Sequence, residues 1–221
     1  MTIKTILCYG DSNLRGFVPG SFNEKTGLSA RFPKNKRWTG VLQTILGEEY
    51  DVVEEGINGR TTTLEEITPG RPYRNGLATF PICIESHYPV DLVIFMLGTN
   101  DTKKQFNRSA EDIAEGVRQL VKIVKNSDKG VAKILLIAPQ PIVKIGGLHP
   151  EFDDEAIAKS KALAPLYQKV AQEEGCDFLD AGLIISSSLL DGVHIEEADS
   201  RLLAEAVAKT VIRNFLRPVV N

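Results

Sequence analysis

Cysteine is scarce in this chain: Cys8, Cys83 and Cys176 are the only three in 221 residues, too few and too scattered for a disulfide framework or a zinc site. Cys8 and Cys176 fall in apolar, strand-like runs and read as buried, inert thiols. An excess of either charge is also missing. The 26 Lys and Arg against 29 Asp and Glu leave a net charge of −3, which provides no basic field for nucleic acid or anionic lipid. The local basic run Lys34-Asn35-Lys36-Arg37 reads as a solvated loop. No apolar run approaches the length of a membrane span. Met1-Thr2-Ile3-Lys4 leads straight into the first apolar run with no signal peptide, so a cytoplasmic location is expected. No Gly-x-Gly-x-x-Gly follows a strand and no phosphate-binding P-loop is present, which argues against nucleotide chemistry. The Gly-x-Ser-x-Gly elbow of the α/β-hydrolases is absent too, which argues against that fold.

What remains is ordinary globular material, 43% hydrophobic and 25% charged, of a length that fits one domain over residues 1–221. A chain of this size buries roughly 70% of its unfolded surface without staples. Strand-like runs occur at Thr5–Tyr9, Asp51–Glu54, Asp91–Leu97, Lys133–Ala138 and Asp177–Leu179. Leu92-Val-Ile-Phe-Met-Leu97 is apolar without alternation, the signature of a strand covered on both faces in a parallel sheet. Helical periodicity lies between the runs, at Trp38–Leu46, Ser109–Val124, Asp154–Glu174 and Glu196–Leu216. Ser109-Ala-Glu-Asp112 resembles a capping box. A weaker helix is expected near Leu77–His87, interrupted by Pro81. Strand alternating with helix predicts an α/β fold: a flavodoxin-like α/β/α sandwich with five parallel strands in the order 2-1-3-4-5. Three long irregular stretches, Leu14–Arg37, Arg60–Asn75 and Gln140–Phe152, follow strands and so converge on the sheet's carboxyl edge, where ligands bind in such folds.

Four short segments at that edge carry the chemistry. The first is Gly10-Asp11-Ser12-Asn13, where Ser12 reads either as a nucleophile offered at a strand end or as a helix N-cap. The second is Gly56-Ile57-Asn58-Gly59-Arg60-Thr61-Thr62, and the third is Gly98-Thr99-Asn100-Asp101. Gly59 and Gly98 mark close backbone approaches, and Asn100 offers either an amide donor or an Asx-turn. The fourth is Asp191-Gly192-Val193-His194. A serine hydroxyl needs a base, and imidazole is the usual one near neutral pH. Of His87, His149 and His194, His87 reads as a surface residue at a helix end and His149 as lining a loop entrance. In a turn, Asp191 can reach Nδ1–H of His194 while Nε2 faces a serine; the alternative is a solvated histidine before the last helix.

Taken in order, these four segments resemble the blocks of the SGNH hydrolases, the GDSL esterase/lipase family, in a GDSN form. Arg37-Trp38-Thr39-Gly40, Glu54-Glu55-Gly56, Met96–Lys103 and His149-Pro150 are similar to its aryl esterase/acyltransferase branch. The resemblance runs over nearly the whole chain and implies Ser12 as nucleophile, His194 as general base and acid, and Asp191 as the carboxylate that orients it. It implies an oxyanion hole from the Ser12 N–H, the Gly59 N–H and the Asn100 side chain, with no metal and no cofactor. Asp11 and Asp101 would fix turns, and Asp11 would border the substrate together with Asn13, Phe17, Asn58, Ile142, His149 and Val193. Asn13 departs from the leucine common in the family.

The resemblance to the branch implies a short-chain acyl ester, acetyl to butyryl; Phe17, Val18, Pro19, Phe22, Phe32, Ile142, Val143 and Leu148 read either as walls of a restricted apolar pocket for it or as anchors of their loops to the body. The branch includes an enzyme able to transfer acyl groups to alcohols and to peroxide, and its members tend to form homo-oligomers, as expected here. A carbohydrate acetyl ester is an alternative, since Arg60, Arg71, Arg74 and Asn75 offer polar contacts. Two readings of other classes stand beside it: a flavodoxin-like binding module without catalysis, and a metal-dependent phosphoesterase using Asp11, Asp101, Asp191 and His194.

Overall fold

In the computed structural model, residues 3–65, 70–127, 133–146 and 151–216 are described. The five apolar runs form β1 (Lys4–Gly10), β2 (Tyr50–Gly56), β3 (Leu92–Met96), β4 (Lys133–Ala138) and β5 (Asp177–Asp180). All pair in parallel in the order β2-β1-β3-β4-β5, the predicted topology. The period-2 geometry of β1 and β3 sorts their side chains between two cores. Leu7, Tyr9, Val93 and Phe95 face α3 (Gly76–Ser86), α4 (Ala110–Lys125) and α5 (Asp154–Glu174). Ile6, Cys8, Leu92, Ile94 and Met96 face α2 (Trp38–Leu46) and α6 (Glu197–Leu216). Helices therefore cover both faces, which is why β3 reads as continuously apolar. Among the described residues no helix is long and apolar enough to cross a membrane.

Register places the site. Gly10 lies opposite Gly56 on one side and Met96 on the other, so β1, β2 and β3 end side by side. Whatever follows those strands must meet at one edge. The one-turn helix α1 (Ser12–Arg15) follows β1 directly, with Asp11 as its N-cap accepting from Asn13 N–H.

Several local expectations are corrected. α3 runs unbroken through Pro81. An interior proline costs about 3 kcal/mol in an isolated helix. Phe80 and Ile84, 0% and 5% exposed, each gain about 2 kcal/mol by burial, enough to hold the helix together. The basic run is not uniformly solvated: Arg37 is buried and its guanidinium forks onto Glu54 of β2 at 3.1 and 2.8 Å, an interaction Thr39 also joins. His87 caps the end of α3 and meets Glu55 through Nε2 at 2.9 Å, rather than standing free on the surface. Cys8 is fully buried, and burial pushes its thiol far up. Cys176, expected inside a strand, lies half-buried between α5 and β5, its thiol pushed up to about 11 chiefly by burial.

Candidate active site

Ser12 is the first residue of α1, so its N–H has no partner within that helix. The capping is done by Asp11, which settles the alternative reading of Ser12 as a cap. Its Oγ lies 2.9 Å from Nε2 of His194, and Nδ1 of the same imidazole lies 2.9 Å from Oδ2 of Asp191. Oδ1 of Asp191 accepts from the backbone N–H groups of Val193 and His194 at 3.0 and 2.9 Å, so one carboxylate folds the Asp-x-x-His turn and holds the ring. Burial alone would raise this carboxyl, but the hydrogen bond and charge of His194, with the two backbone donors, outweigh it and hold Asp191 well below the usual carboxylate range.

The turn is braced from outside. Ser188 N–H donates to His194 O at 2.7 Å, Gln140 Nε2 to Val193 O at 3.0 Å, and Val143 N–H to Gly192 O at 2.9 Å. Ile142 and Val193 pack with Phe152 and Ala156 in a small apolar cluster. A recess lined by Ile142, Val143, Ile145, Phe152 and Val193 opens beside Asp191.

Gly59 has φ of +80°, a conformation only glycine adopts without strain, and its N–H donates to nothing among the described residues. Asn100 stands in a short 3-10 turn after β3, and its Nδ2 donates to Arg60 O at 3.0 Å, with Asp11 Oδ2 farther off at 3.4 Å. Gly98, before that turn, has φ of +116°, and a Cβ there would run into the Tyr167 hydroxyl that donates to Leu97 O. Asp101 is fully buried and accepts from Thr62 N–H at 3.0 and 2.9 Å, tying the second segment to the third. Burial pushes both Asp11 and Asp101 up to about 6 against the donors that face them.

The structure thus brings Ser12, Gly59, Asn100, Asp191 and His194 to one edge. It uses several of the other expected residues differently. Asp11 is spent on the cap, and Asn13 is buried with its Oδ1 accepting from Ile195 N–H at 3.2 Å. Ile142 and Val193 belong to the cluster behind Asp191 rather than to a wall in front of Ser12. Phe17 lies face to face with the His194 ring. Asn58 is half-buried beside Ser29, its Nδ2 donating to Oγ at 3.3 Å. Leu148 and His149 lie outside the described residues.

Arg60, expected to face a sugar, is 5% exposed. Its guanidinium donates to Gly10 O at 2.9 Å and to Glu55 O, and stacks on Tyr9 at 4.0 Å. Asn75 caps α3 and Arg74 Nε donates to Asn58 O at 2.7 Å, so these two are also engaged internally. Among the described residues no three His, Cys, Asp or Glu side chains come together as a metal-ligand group. Asp101 is committed to Thr62 and Arg108, and Asp191 to His194.

Residues the sequence did not single out include Gln140 and Gly20, which hold the Asp-x-x-His turn through a carbonyl and a carboxylate respectively. Gln140 sits just past β4, at the same carboxyl edge, which is the one signal that could have found it.

A family model described as GDSL-like lipase/acylhydrolase matches residues 8–202. The chain is similar to the native aryl esterase of M. smegmatis, with 39% identity, coverage of 96% of this chain and 100% of that one, and a TM-score of 0.88. It is similar to Est24, a carbohydrate acetylesterase from Sinorhizobium meliloti, at 34% identity, 96% and 100% coverage and a TM-score of 0.86. An acetylxylan esterase of Xylanibacter ruminicola is 26% identical over an alignment of 227 positions that covers 93% of this chain but only 42% of that longer protein. With a matching model over residues 8–202 and solved relatives alike across nearly the whole length, the chain belongs to the GDSL-like lipase/acylhydrolase, or SGNH hydrolase, family.

Proposed function

We propose that this chain is a serine esterase that cleaves short-chain acyl esters through an acyl-enzyme on Ser12. The observation that carries the reading is the relay Ser12 Oγ to His194 Nε2 and His194 Nδ1 to Asp191 Oδ2, each step 2.9 Å. Ser12 Oγ attacks the ester carbonyl carbon while His194 Nε2 takes its proton. Negative charge develops on the carbonyl oxygen, where the N–H groups of Ser12 and Gly59, which donate to nothing among the described residues, and Nδ2 of Asn100, giving up its long 3.4 Å bond to Asp11 Oδ2, stabilise it. The intermediate collapses, and His194 gives its proton to the leaving alcohol. Water, activated by the same imidazole, then releases the acid and restores the serine. An alcohol or peroxide in place of water makes the enzyme an acyltransferase or perhydrolase.

Ser12 is only 6% exposed, between the buried Asp11 and Asn13, and this restricted access supports acetyl to butyryl groups over longer ones. A carbohydrate acetyl ester is the second reading, favoured by the similarity to Est24 and to the acetylxylan esterase. A series of p-nitrophenyl esters run against acetylated xylan separates the two. A fall of at least about tenfold in kcat/KM from acetate to octanoate is expected. Equal or greater rates on octanoate contradict the short-acyl assignment, and acetate release only from the polysaccharide selects the second reading.

A further inference from the structure

The proposed relay joins parts that lie 182 positions apart, Ser12 on α1 and His194 before α6, so something must hold the two against each other. Four ties do so, and all come from residues 12–20. One is the Ser12–His194 contact itself, and a second is Asn13 Oδ1, which accepts from Ile195 N–H at 3.2 Å. The third is the N–H of Gly20, which donates to Asp191 Oδ2 at 3.2 Å, on the same oxygen that meets the imidazole. The fourth is Phe17, whose ring lies on the His194 ring with centroids 3.8 Å apart and planes within 11°.

Phe17 is itself tied to the nucleophile's turn. Its N–H donates to Ser12 O at 3.0 Å, and it is bridged to Arg31 across the loop that follows α1. The side chain is 9% exposed, so the phenyl face is closed in rather than swinging in solvent. The hydrogen bonds on the two imidazole nitrogens fix the ends of the ring, and the tilt of its plane is left to the side-chain torsions and to whatever packs on its faces. A flat ring stacked on one face restrains that tilt.

We infer that Phe17 is a positioning residue: its ring fixes the plane of the His194 imidazole, so that Nε2 stays aligned on Ser12 Oγ. A near-parallel stack with centroids 3.8 Å apart orders the imidazole plane while leaving both nitrogens free for their partners. Gly20 completes the same strap by orienting the carboxylate. The inference rests on the proposed role of His194 as the base.

Two measurements test it. In the wild-type protein, the carbon-bound ring protons of His194, assigned by their loss in His194→Asn, should resonate upfield of those of His87 and His149, because they lie over a phenyl face. Resonance at ordinary positions means that the stack is not populated and overturns the inference without reference to activity. In kinetics, Phe17→Leu should lower kcat on p-nitrophenyl acetate about three- to tenfold, with KM changed less than about twofold, and Phe17→Tyr should restore most of the loss. A raised KM with unchanged kcat, or no change in either, overturns it: the first makes Phe17 a substrate wall, the second a bystander. Ser12→Ala separates this failure from failure of the serine mechanism. If Ser12→Ala abolishes turnover while Phe17→Leu leaves kcat intact, only the positioning role is wrong; if Ser12→Ala keeps turnover, the reading beneath it is wrong.

Discussion

Replacing Asp191 by asparagine changes one oxygen to an amide and leaves the shape of the turn. The carboxylate accepts four hydrogen bonds: Val193 N–H and His194 N–H on Oδ1, and His194 Nδ1 and Gly20 N–H on Oδ2. In Asp191→Asn the remaining oxygen can keep the two backbone donors that fold the turn, so the fold should survive. The NH2 then faces Nδ1 of His194. An NH2 group can only donate, which forces Nδ1 to accept and puts the ring proton on Nε2. That nitrogen is the one 2.9 Å from Ser12 Oγ, and once protonated it cannot take the serine's proton. The substitution also removes the negative charge that stabilises the imidazolium formed on attack. Together these should cost about ten-thousand-fold in kcat, or ~5.5 kcal/mol of barrier. The assay is p-nitrophenyl acetate hydrolysis, with circular dichroism and a thermal melt as controls for folding. A folded Asp191→Asn enzyme retaining more than about a tenth of wild-type kcat refutes the assigned role. The same carboxyl also links stability to acid. Its folded pKa is depressed, so its contribution is present above the unfolded value and is lost as pH falls through the folded one. Asp191→Asn should lack that component in acid melts.

Two further outcomes follow from the packing around the site. Gly98→Ala should lower stability by about 2–4 kcal/mol in chemical denaturation, because φ is +116° and the new Cβ meets the buried Tyr167 hydroxyl; an unchanged midpoint contradicts this. Asp101 has a folded pKa of about 6, above the unfolded carboxylate value of about 4, so its stabilising proton uptake is complete below pH 4 and is lost as pH rises to 6. Wild type should therefore lose stability relative to Asp101→Asn across that window in denaturant melts, and a constant or growing difference refutes it.

The architecture was largely legible because its signals are local and redundant. Leu92–Met96 reads as a doubly covered strand and is one, and the apolar stripe of Trp38–Leu46 marks the helix to the residue. Ser12, Gly59 and Asn100 were legible because each follows a strand, and the parallel register that aligns Gly10 with Gly56 and Met96 brings those strand ends together; Asp191 and His194, in the loop between β5 and α6, were legible from their own spacing. What was not legible depended on partners distant in the chain. Pro81 signals a break, yet the buried Phe80 and Ile84 override it. Arg60 reads as a solvent-facing cation until β1 supplies Gly10 O and the Tyr9 ring. Phe17 and Asn13 look like contacts for a substrate, but their partners are His194 and Ile195. No window along the chain contains both members of such a pair.

The central claim is that Ser12 is a nucleophile activated by His194, and covalent labelling reads it most directly. A fluorophosphonate incubated with the folded wild-type protein should add one phosphonyl group, mapped by mass spectrometry to Ser12, with loss of p-nitrophenyl acetate hydrolysis in step with labelling. His194→Gln should label slower by about three orders of magnitude or more. A folded protein that hydrolyses the ester yet carries no adduct on Ser12, or carries it on another residue, contradicts the account.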